Sequence, residues 1–285
     1  MSAPTVRRRQ LGASLRTLRE SRGLTQDEVA RRTDGKINGA KISRIETAST
    51  KPSAADVRKI LDACGVEDEE TRESLLRLTG GGSRPGWWTS WRSVLSPAYE
   101  DLISLESEAE QISTWQPVVI PGLLQTADYA RQIITATAMD GAAPERVAAL
   151  VQVRLARQAV LTGHNPLRLW AIIGESALRT RTDDPRLMRD QLSHLLAART
   201  WPNVTIQVLR SSEPPHVGQT GAYSILGYGA YASLDVVHIE SLTQALYVEG
   251  RENVVAYQDA LSRLRSVALS SAETAELITK IRDEI

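Results

Sequence analysis

The sequence predicts an all-α N-terminal domain of five helices, followed by a larger α+β domain with a small sheet. Residues 10–79 contain short segments with helix-capping residues and with apolar residues at helical spacing. A glycine-rich segment follows at 80–86, and beyond it helical patterns alternate with short β-leaning segments. At 285 residues the chain is long enough for more than one hydrophobic core. We therefore expect domains at 10–79 and 87–285, joined by a linker at 80–86.

The chain begins with a basic tail, residues 1–9, which ends in three consecutive arginines. Such a tail either follows a nucleic-acid backbone or is disordered. After it, Leu11, Leu15 and Leu18 recur at helical spacing and predict a first helix that packs beneath the next two. The arginines of this helix, including Arg19, are expected on its outer side.

Two short helices joined by a turn, a helix-turn-helix, are predicted within residues 24–46. Thr25 and Glu28 have the spacing of a capping box, which satisfies amide groups at the start of the first of these helices. The segment Asp34-Gly35-Lys36 interrupts the helical pattern. Asn38 is then in position to cap the second helix.

The second helix has one apolar and one basic side. Ile42 and Ile45 lie three positions apart and anchor it from behind, which leaves Lys41, Ser43 and Arg44 facing outward. A major groove admits one helix, and arginine donates two hydrogen bonds to guanine, so this helix is a candidate DNA reader. The alternative is a solvated basic face of the kind that many surface helices have.

Two further helices, one carrying Val57 and Ile60 and one at 68–78, complete the N-terminal domain, which is basic overall. Residues 1–59 hold 14 Lys and Arg against 6 Asp and Glu. The whole chain holds 34 of each class, so the remainder has an acidic surplus of the same size, eight charges. A basic end attracts phosphates, and the attraction weakens as salt is added.

Three segments resemble the helix-turn-helix of the Cro/CI-type (Xre) transcriptional regulators. They are LTQDEVA at 24–30, KISRIE at 41–46 and KPS at 51–53, and the resemblance extends over about residues 10–78. The chain departs from the commonest family spacing in the turn between Ala30 and Ile42, which is about two residues longer. Gly39 and Ala40 also stand where relatives often carry a polar reader.

The resemblance implies a role for each DNA-facing residue. Gln26 is expected to contact a phosphate and to brace the reading helix, and Arg44 to contact a base edge. Lys41 would be shared between base and phosphate, whereas Lys51 would contact phosphate alone. The complete set of expected DNA-binding residues is Gln26, Asn38, Gly39, Ala40, Lys41, Ser43, Arg44 and Lys51.

The second half of the chain mixes two periodicities. Helices are predicted at 97–113, 129–135, 144–162, 187–199, 252–267 and 272–285, and strands at 167–173, 204–209, 222–226, 235–240 and 245–249. The first of these helices is acidic, with Glu106 and its neighbours expected on outer faces.

Aromatic residues in this half suggest two kinds of binding surface. The tryptophans within 87–91 are typical of a docking surface or a buried lid, and an exposed apolar patch there would favour a protein partner. An apolar cleft lined by Trp115, Trp170 or Tyr223 would instead favour a small-molecule sensor.

Residues that could suggest catalysis or metal binding do not form a complete motif. Gly174-Glu175-Ser176-Ala177-Leu178 lacks the second glycine of a nucleophile elbow. His216, His238 and Glu240 have no compact ligand spacing, and Cys64 is the single cysteine. We therefore expect no catalytic residue, no metal and no cofactor, and a core position for Cys64.

Further segments resemble the C-terminal domain of WhiJ-like regulators of actinomycetes: WQPVVIPGLLQTADYAR at 115–131, VQVRLARQAVLT at 151–162, WPNVTIQVL at 201–209 and YVE at 247–249. The role of that domain is poorly defined, and a small partner protein is commonly encoded beside it. The resemblance implies an antitoxin-like or developmental regulator whose second domain binds a protein.

Together these observations predict a sequence-specific transcriptional regulator that acts on a double-stranded DNA operator. The protein would be a homodimer, because one small module makes few base contacts. A small protein partner is what the resemblance to WhiJ-like regulators implies. The alternative is a ligand-responsive regulator, or an enzyme domain tethered to DNA. No signal-peptide pattern or span of about 20 apolar residues occurs, so we expect a cytoplasmic protein that joins the nucleoid when bound to DNA.

Overall fold

The computed structural model describes residues 6–79, 87–138, 141, 143–182, 184–229, 235–242 and 244–285. Their contacts divide them into two compact units, with the division between Trp87 and Trp88. The predicted linker at 80–86 and the first five residues of the predicted tail lie outside the described residues.

The first unit is all α, as predicted. Its helices in the described part of the chain are α1 (Val6–Ser21), α2 (Gln26–Arg32), α3 (Gly39–Glu46), α4 (Ala54–Ala63) and α5 (Glu69–Leu78). Leu11, Leu15, Val29, Ile42 and Ile60 are buried in its core. Helix α1 begins at Val6, so positions 6–9 of the predicted basic tail are helical and the helix starts earlier than its apolar spacing indicated.

Glycine at position 12 allows α1 to approach the end of α3 closely. A Cβ at Gly12 would lie 2.6 Å from the carbonyl oxygens of both Ile45 and Glu46. Those oxygens belong to the backbone, so a side chain at position 12 would push the two helices apart. The contact therefore fixes the second helix of the helix-turn-helix against α1.

The second unit combines a sheet with helices, which confirms the predicted α+β class. Its helices are α6 (Pro97–Glu106), α7 (Ala127–Thr137), α8 (Pro144–Arg157), α9 (Glu175–Leu178), α10 (Pro185–Ala198), α11 (Arg251–Val267) and α12 (Ser271–Glu284). Single 3-10 turns occur at Trp87–Trp91, Gly122–Leu124, Gln158–Leu161 and Val217–Thr220. No helix in the described ranges has both the length and the apolar character needed to cross a membrane.

The sheet has six strands among the described residues: β1 (Gln111–Gln116), β2 (Arg168–Gly174), β3 (Val204–Leu209), β4 (Tyr223–Gly227), β5 (Val236–Glu240) and β6 (Ala245–Val248). Their order is β3-β2-β1-β4-β5-β6. The first three are parallel, and β4, β5 and β6 join in antiparallel pairs. α11 covers one face, where Leu261 packs with Trp115, Ile172 and Val237.

Strand β1 corrects the prediction of a helix over 97–113. The helix ends at Glu106, and Gln111–Gln116 forms a strand between β2 and β4. Ile112 and Thr114 point to one side of the sheet, and Trp115 points to the α11 side. The physical reason is that these β-branched and aromatic residues fit a pleated surface, whereas the acidic residues before them had suggested a continuing helix.

Candidate nucleic-acid interface

The turn between α2 and α3 determines where the second helix of the motif begins. Asp34 and Gly35 have φ angles of 54° and 72°, in the left-handed region that asparagine, aspartate and glycine adopt most readily. Asn38 then caps α3, because its side-chain oxygen accepts a hydrogen bond of 2.8 Å from the amide of Lys41. The predicted cap is confirmed.

Helix α3 has the two-sided character that the sequence indicated. Ile42 and Ile45 are both 0% exposed and anchor the helix in the core of the first unit. Arg44 and Ala40 are exposed on its other side, and Ser43 is half-buried. Because its apolar side is buried in the core, α3 holds Arg44 in a fixed position facing solvent.

The structure gathers six of the eight predicted DNA-binding residues on α3 or its cap. These six are Asn38, Gly39, Ala40, Lys41, Ser43 and Arg44; Gln26 begins α2 and Lys51 lies in the loop after α3. Asn38, Ala40, Arg44 and Lys51 are exposed, and the other four are half-buried. Their contacts with DNA remain predictions.

Lys41 forms an ion pair within the first unit. Its Nζ lies 2.8 Å from Oδ1 of Asp56 on α4, and Asp56 also caps that helix together with Ser53. Although burial opposes it, hydrogen bonds from Lys41 and Ser53 hold the pKa of Asp56 below its ordinary value. The carboxylate is thus charged at neutral pH and holds the ammonium group of Lys41 in an ion pair within the first unit.

A buried ion pair braces α3 against α1 and α2. Nε and Nη2 of Arg19 donate to the two carboxylate oxygens of Glu46 over 2.7 and 2.9 Å, and Nη1 donates to the carbonyl of Leu24 over 2.8 Å. Gln26 adds a hydrogen bond of 2.8 Å to Glu46. The hydrogen bond to Glu46 raises the pKa of Arg19.

The expectation that Arg19 lies on an outer face was wrong, since only 8% of this residue is exposed. A signal was present in the sequence. Arg19 follows Leu11 and Leu15 at intervals of four, and Glu46 follows Ile42 by four, so both charged residues continue apolar stripes. A charge at such a position indicates a buried partner on another element.

The aromatic residues of the second unit do not form the cleft that was considered. Trp115 and Tyr223 are 3% and 4% exposed and belong to the core beneath α11, and Trp170 packs against that core. Trp88 and Trp91 are half-buried against a smaller cluster around Ile103. The prediction that Glu106 lies on an outer face of its helix was also wrong, because only 4% of this residue is exposed.

Glu106 is paired with Arg157 in the interior of the second unit. Their side chains meet at 2.7 Å and are 4% and 8% exposed. Burial lowers the pKa of Arg157, but the charge of Glu106, the nearby Tyr99 and their hydrogen bonds together outweigh it and raise that pKa well above the ordinary value. Nη1 of Arg157 also donates to the hydroxyl of Tyr99.

The residues weighed for catalysis or metal binding have structural contacts. Ser176 donates its hydroxyl hydrogen to the carbonyl of Pro117, and His216 accepts a hydrogen bond from the amide of Gly218. His238 is buried beside the ring of Tyr247. Among the described residues, no group of three His, Cys, Asp or Glu side chains could hold a metal. Cys64 is buried, as expected.

The second unit contains a cavity of about 420 Å³ that the sequence did not reveal. It lies between the start of α6, the end of α7, one side of α8 and the β5–β6 hairpin. Arg154, His238 and Glu240 are among the polar residues that line it. Trp115 does not line this cavity, because its side chain lies in the core beneath α11.

Comparison with protein families agrees with the two units. Residues 10–75 match a model described as a helix-turn-helix domain, which implies DNA binding by the first unit. Residues 99–280, more than half of the chain, match a model described as a domain of unknown function (DUF5753). No curated protein and no solved structure matches the chain.

Proposed function

Because the chain belongs to the family of the domain of unknown function DUF5753 and carries a helix-turn-helix domain ahead of it, we propose that it is a sequence-specific transcriptional regulator. The observation that carries the proposal is α3, whose isoleucines are fully buried while Arg44 is exposed. The positive surplus of residues 1–59 supports it, because phosphates are attracted to that end.

Within this proposal the residues of α3 and its surroundings have distinct roles. Arg44 contacts a guanine edge through its planar guanidinium group, and Lys41 is shared between a base and a phosphate. Lys51 contacts phosphate, and Gln26 contacts phosphate while bracing α3 through Glu46. The resemblance of residues 24–53 to Cro/CI-type regulators supports these assignments and that subtype.

We further propose that the protein acts as a homodimer on a palindromic operator. Two copies of α3 would then read half-sites about 34 Å apart, one helical turn of DNA. The resemblance to WhiJ-like, antitoxin-like regulators of actinomycetes supports a small protein partner for the second unit. Exposed Leu242 and Leu246, at 70% and 59%, support an interface at the β5–β6 hairpin. We propose no catalytic role.

A second candidate is a regulator that responds to a small molecule. The cavity beside α8 favours it, because a volume of about 420 Å³ lies within the range of ligand pockets, roughly 300–1,000 Å³. The two candidates differ in whether the second unit binds a protein or a small molecule. In both of them α3 reads the DNA.

Selection from random-sequence DNA duplexes, followed by footprinting of the selected site, tests the proposal. We expect a symmetric protected site and an affinity that falls steeply as salt is added. Lys51→Ala should weaken binding to all sequences about equally, and Arg131→Ala, which removes an exposed charge from α7, should change nothing. Equal affinity for every duplex at moderate salt would contradict the proposal.

A further inference from the structure

The cavity beside α8 has an apolar wall and a cationic side. Leu102, Ile134 and Leu150 contribute apolar surface, and Arg146 and Arg154 lie on the same side of α8 as Leu150 because the three are spaced by four residues. The helix thus presents an apolar side chain between two guanidinium groups. This pattern suits a molecule with both apolar and anionic parts.

Arg154 is half-buried, and no described carboxylate neutralises its charge. Its Nη1 donates to Oε1 of Gln125 over 2.7 Å, and Gln125 is itself held by a hydrogen bond to the carbonyl of Ile120. Its Nε is buried with no hydrogen-bond partner in the described ranges. A partly buried cation without a counter-charge is costly, so an anionic ligand would stabilise this arrangement.

The other polar groups of the cavity limit the charge of its ligand. His238 is neutral at pH 7, because burial and the nearby charge of Arg157 lower its pKa to about 4. Arg146 and Glu240 are both exposed and carry opposite charges. One positive charge, that of Arg154, is therefore left for the ligand. A carboxylate matches it, whereas a phosphate monoester carries roughly −1.5 to −2 charges.

We propose that this cavity binds a small molecule with an apolar body and a single carboxylate, which pairs with the guanidinium group of Arg154. The planar fork of arginine fits the two oxygens of a carboxylate. The apolar body lies against Leu102, Ile134 and Leu150. The proposal deepens the ligand-responsive form of the proposed function, and it concerns binding alone, so its failure leaves DNA reading by α3 untouched.

Two probes with the same apolar body, 4-phenylbutyrate and 4-phenylbutanol, test the proposal on the full-length protein. Binding of each is measured by ligand-observed NMR titration, which yields two dissociation constants. We expect 4-phenylbutyrate to bind about tenfold more tightly, since only its carboxylate supplies an opposite charge and two acceptor oxygens for the guanidinium group. Equal affinities, or no binding of either probe at millimolar concentration, would overturn the proposal.

Three variants locate the site. Arg154→Gln should bring the two dissociation constants within about twofold of each other, and Arg168→Gln, an exposed charge on β2 outside the cavity, should leave the tenfold preference. Leu150→Trp should weaken both probes by filling the cavity. Unfolding followed by tryptophan fluorescence shows that each variant is folded. A preference retained by Arg154→Gln, or undiminished binding by Leu150→Trp, would refute the assignment.

Discussion

Replacing Glu46 by leucine should selectively destabilise the first unit. The variant leaves Arg19, whose side chain is 10% exposed, without its carboxylate partner, and it removes the acceptor of Gln26. Breaking a buried ion pair from one side costs about 3–5 kcal/mol. We take about 3 kcal/mol, because Arg19 keeps its hydrogen bond to the carbonyl of Leu24.

Hydrogen exchange measured by mass spectrometry is the suitable assay. Residues 1–86 contain no Trp, Tyr or Phe, and five of the six tryptophans lie in the second unit, so aromatic fluorescence reports mainly on that unit. A loss of about 3 kcal/mol corresponds to roughly a hundredfold faster exchange of the most protected amides. The peptides to follow cover α1, α2 and α3, and peptides from β1 and β2 serve as the internal control.

A double variant, Arg19→Met with Glu46→Leu, separates the ion pair from other effects of the substitution. Replacing both partners by apolar residues is often neutral or stabilising, so protection in α1–α3 should largely return. Equal exchange in the single and double variants would refute the reasoning. So would a single variant whose exchange rises less than about threefold.

Three further predictions concern other positions. Gly12→Ala should accelerate exchange in α1 and α3, because its Cβ meets backbone oxygens at 2.6 Å; unchanged protection would contradict the close approach. The buried imidazole of His238 has a pKa of about 4, against about 6.5 in the unfolded chain. As pH falls from 6.5 towards 4, the unfolded chain gains a proton that the folded protein does not bind, so the free energy of unfolding decreases. Denaturant unfolding followed by tryptophan fluorescence measures how much the free energy of unfolding decreases between pH 7.5 and 5. This decrease should be about 2 kcal/mol smaller in His238→Phe than in the wild type, whereas the exposed His164→Gln should leave it unchanged. Asp56→Asn keeps the cap of α4 but releases Lys41 from its ion pair, so DNA binding should tighten. In a salt titration, the dependence of affinity on salt should steepen by about one phosphate contact. Weaker DNA binding by the variant would contradict a phosphate contact by Lys41.

Local signals allowed much of the first unit to be predicted. Thr25 with Glu28 and Ser53 with Asp56 form capping boxes, and Asn38 caps α3. Each cap depends on residues three positions apart, which a sequence displays directly. The apolar spacing of α3 likewise predicted its buried and exposed sides.

Contacts between distant positions could not be predicted in the same way. Arg19 and Glu46 are 27 residues apart, and Arg157 and Glu106 are 51 apart. Such pairs form only after helices pack. The apolar stripes that Arg19 and Glu46 continue indicate that each is buried, but they do not identify which distant charge is its partner. Strand β1 was missed for a related reason, since its partners β2 and β4 lie far along the chain.

The measurement that tests the role of α3 most directly combines one substitution in the protein with one in the DNA. Each guanine of the selected operator is replaced in turn by 7-deazaguanine, which lacks the N7 acceptor, and binding of the wild-type protein and Arg44→Ala is measured. We predict that one symmetric guanine position weakens the wild type by about tenfold and leaves Arg44→Ala unchanged. An equal loss for both proteins at every guanine would contradict base reading by Arg44.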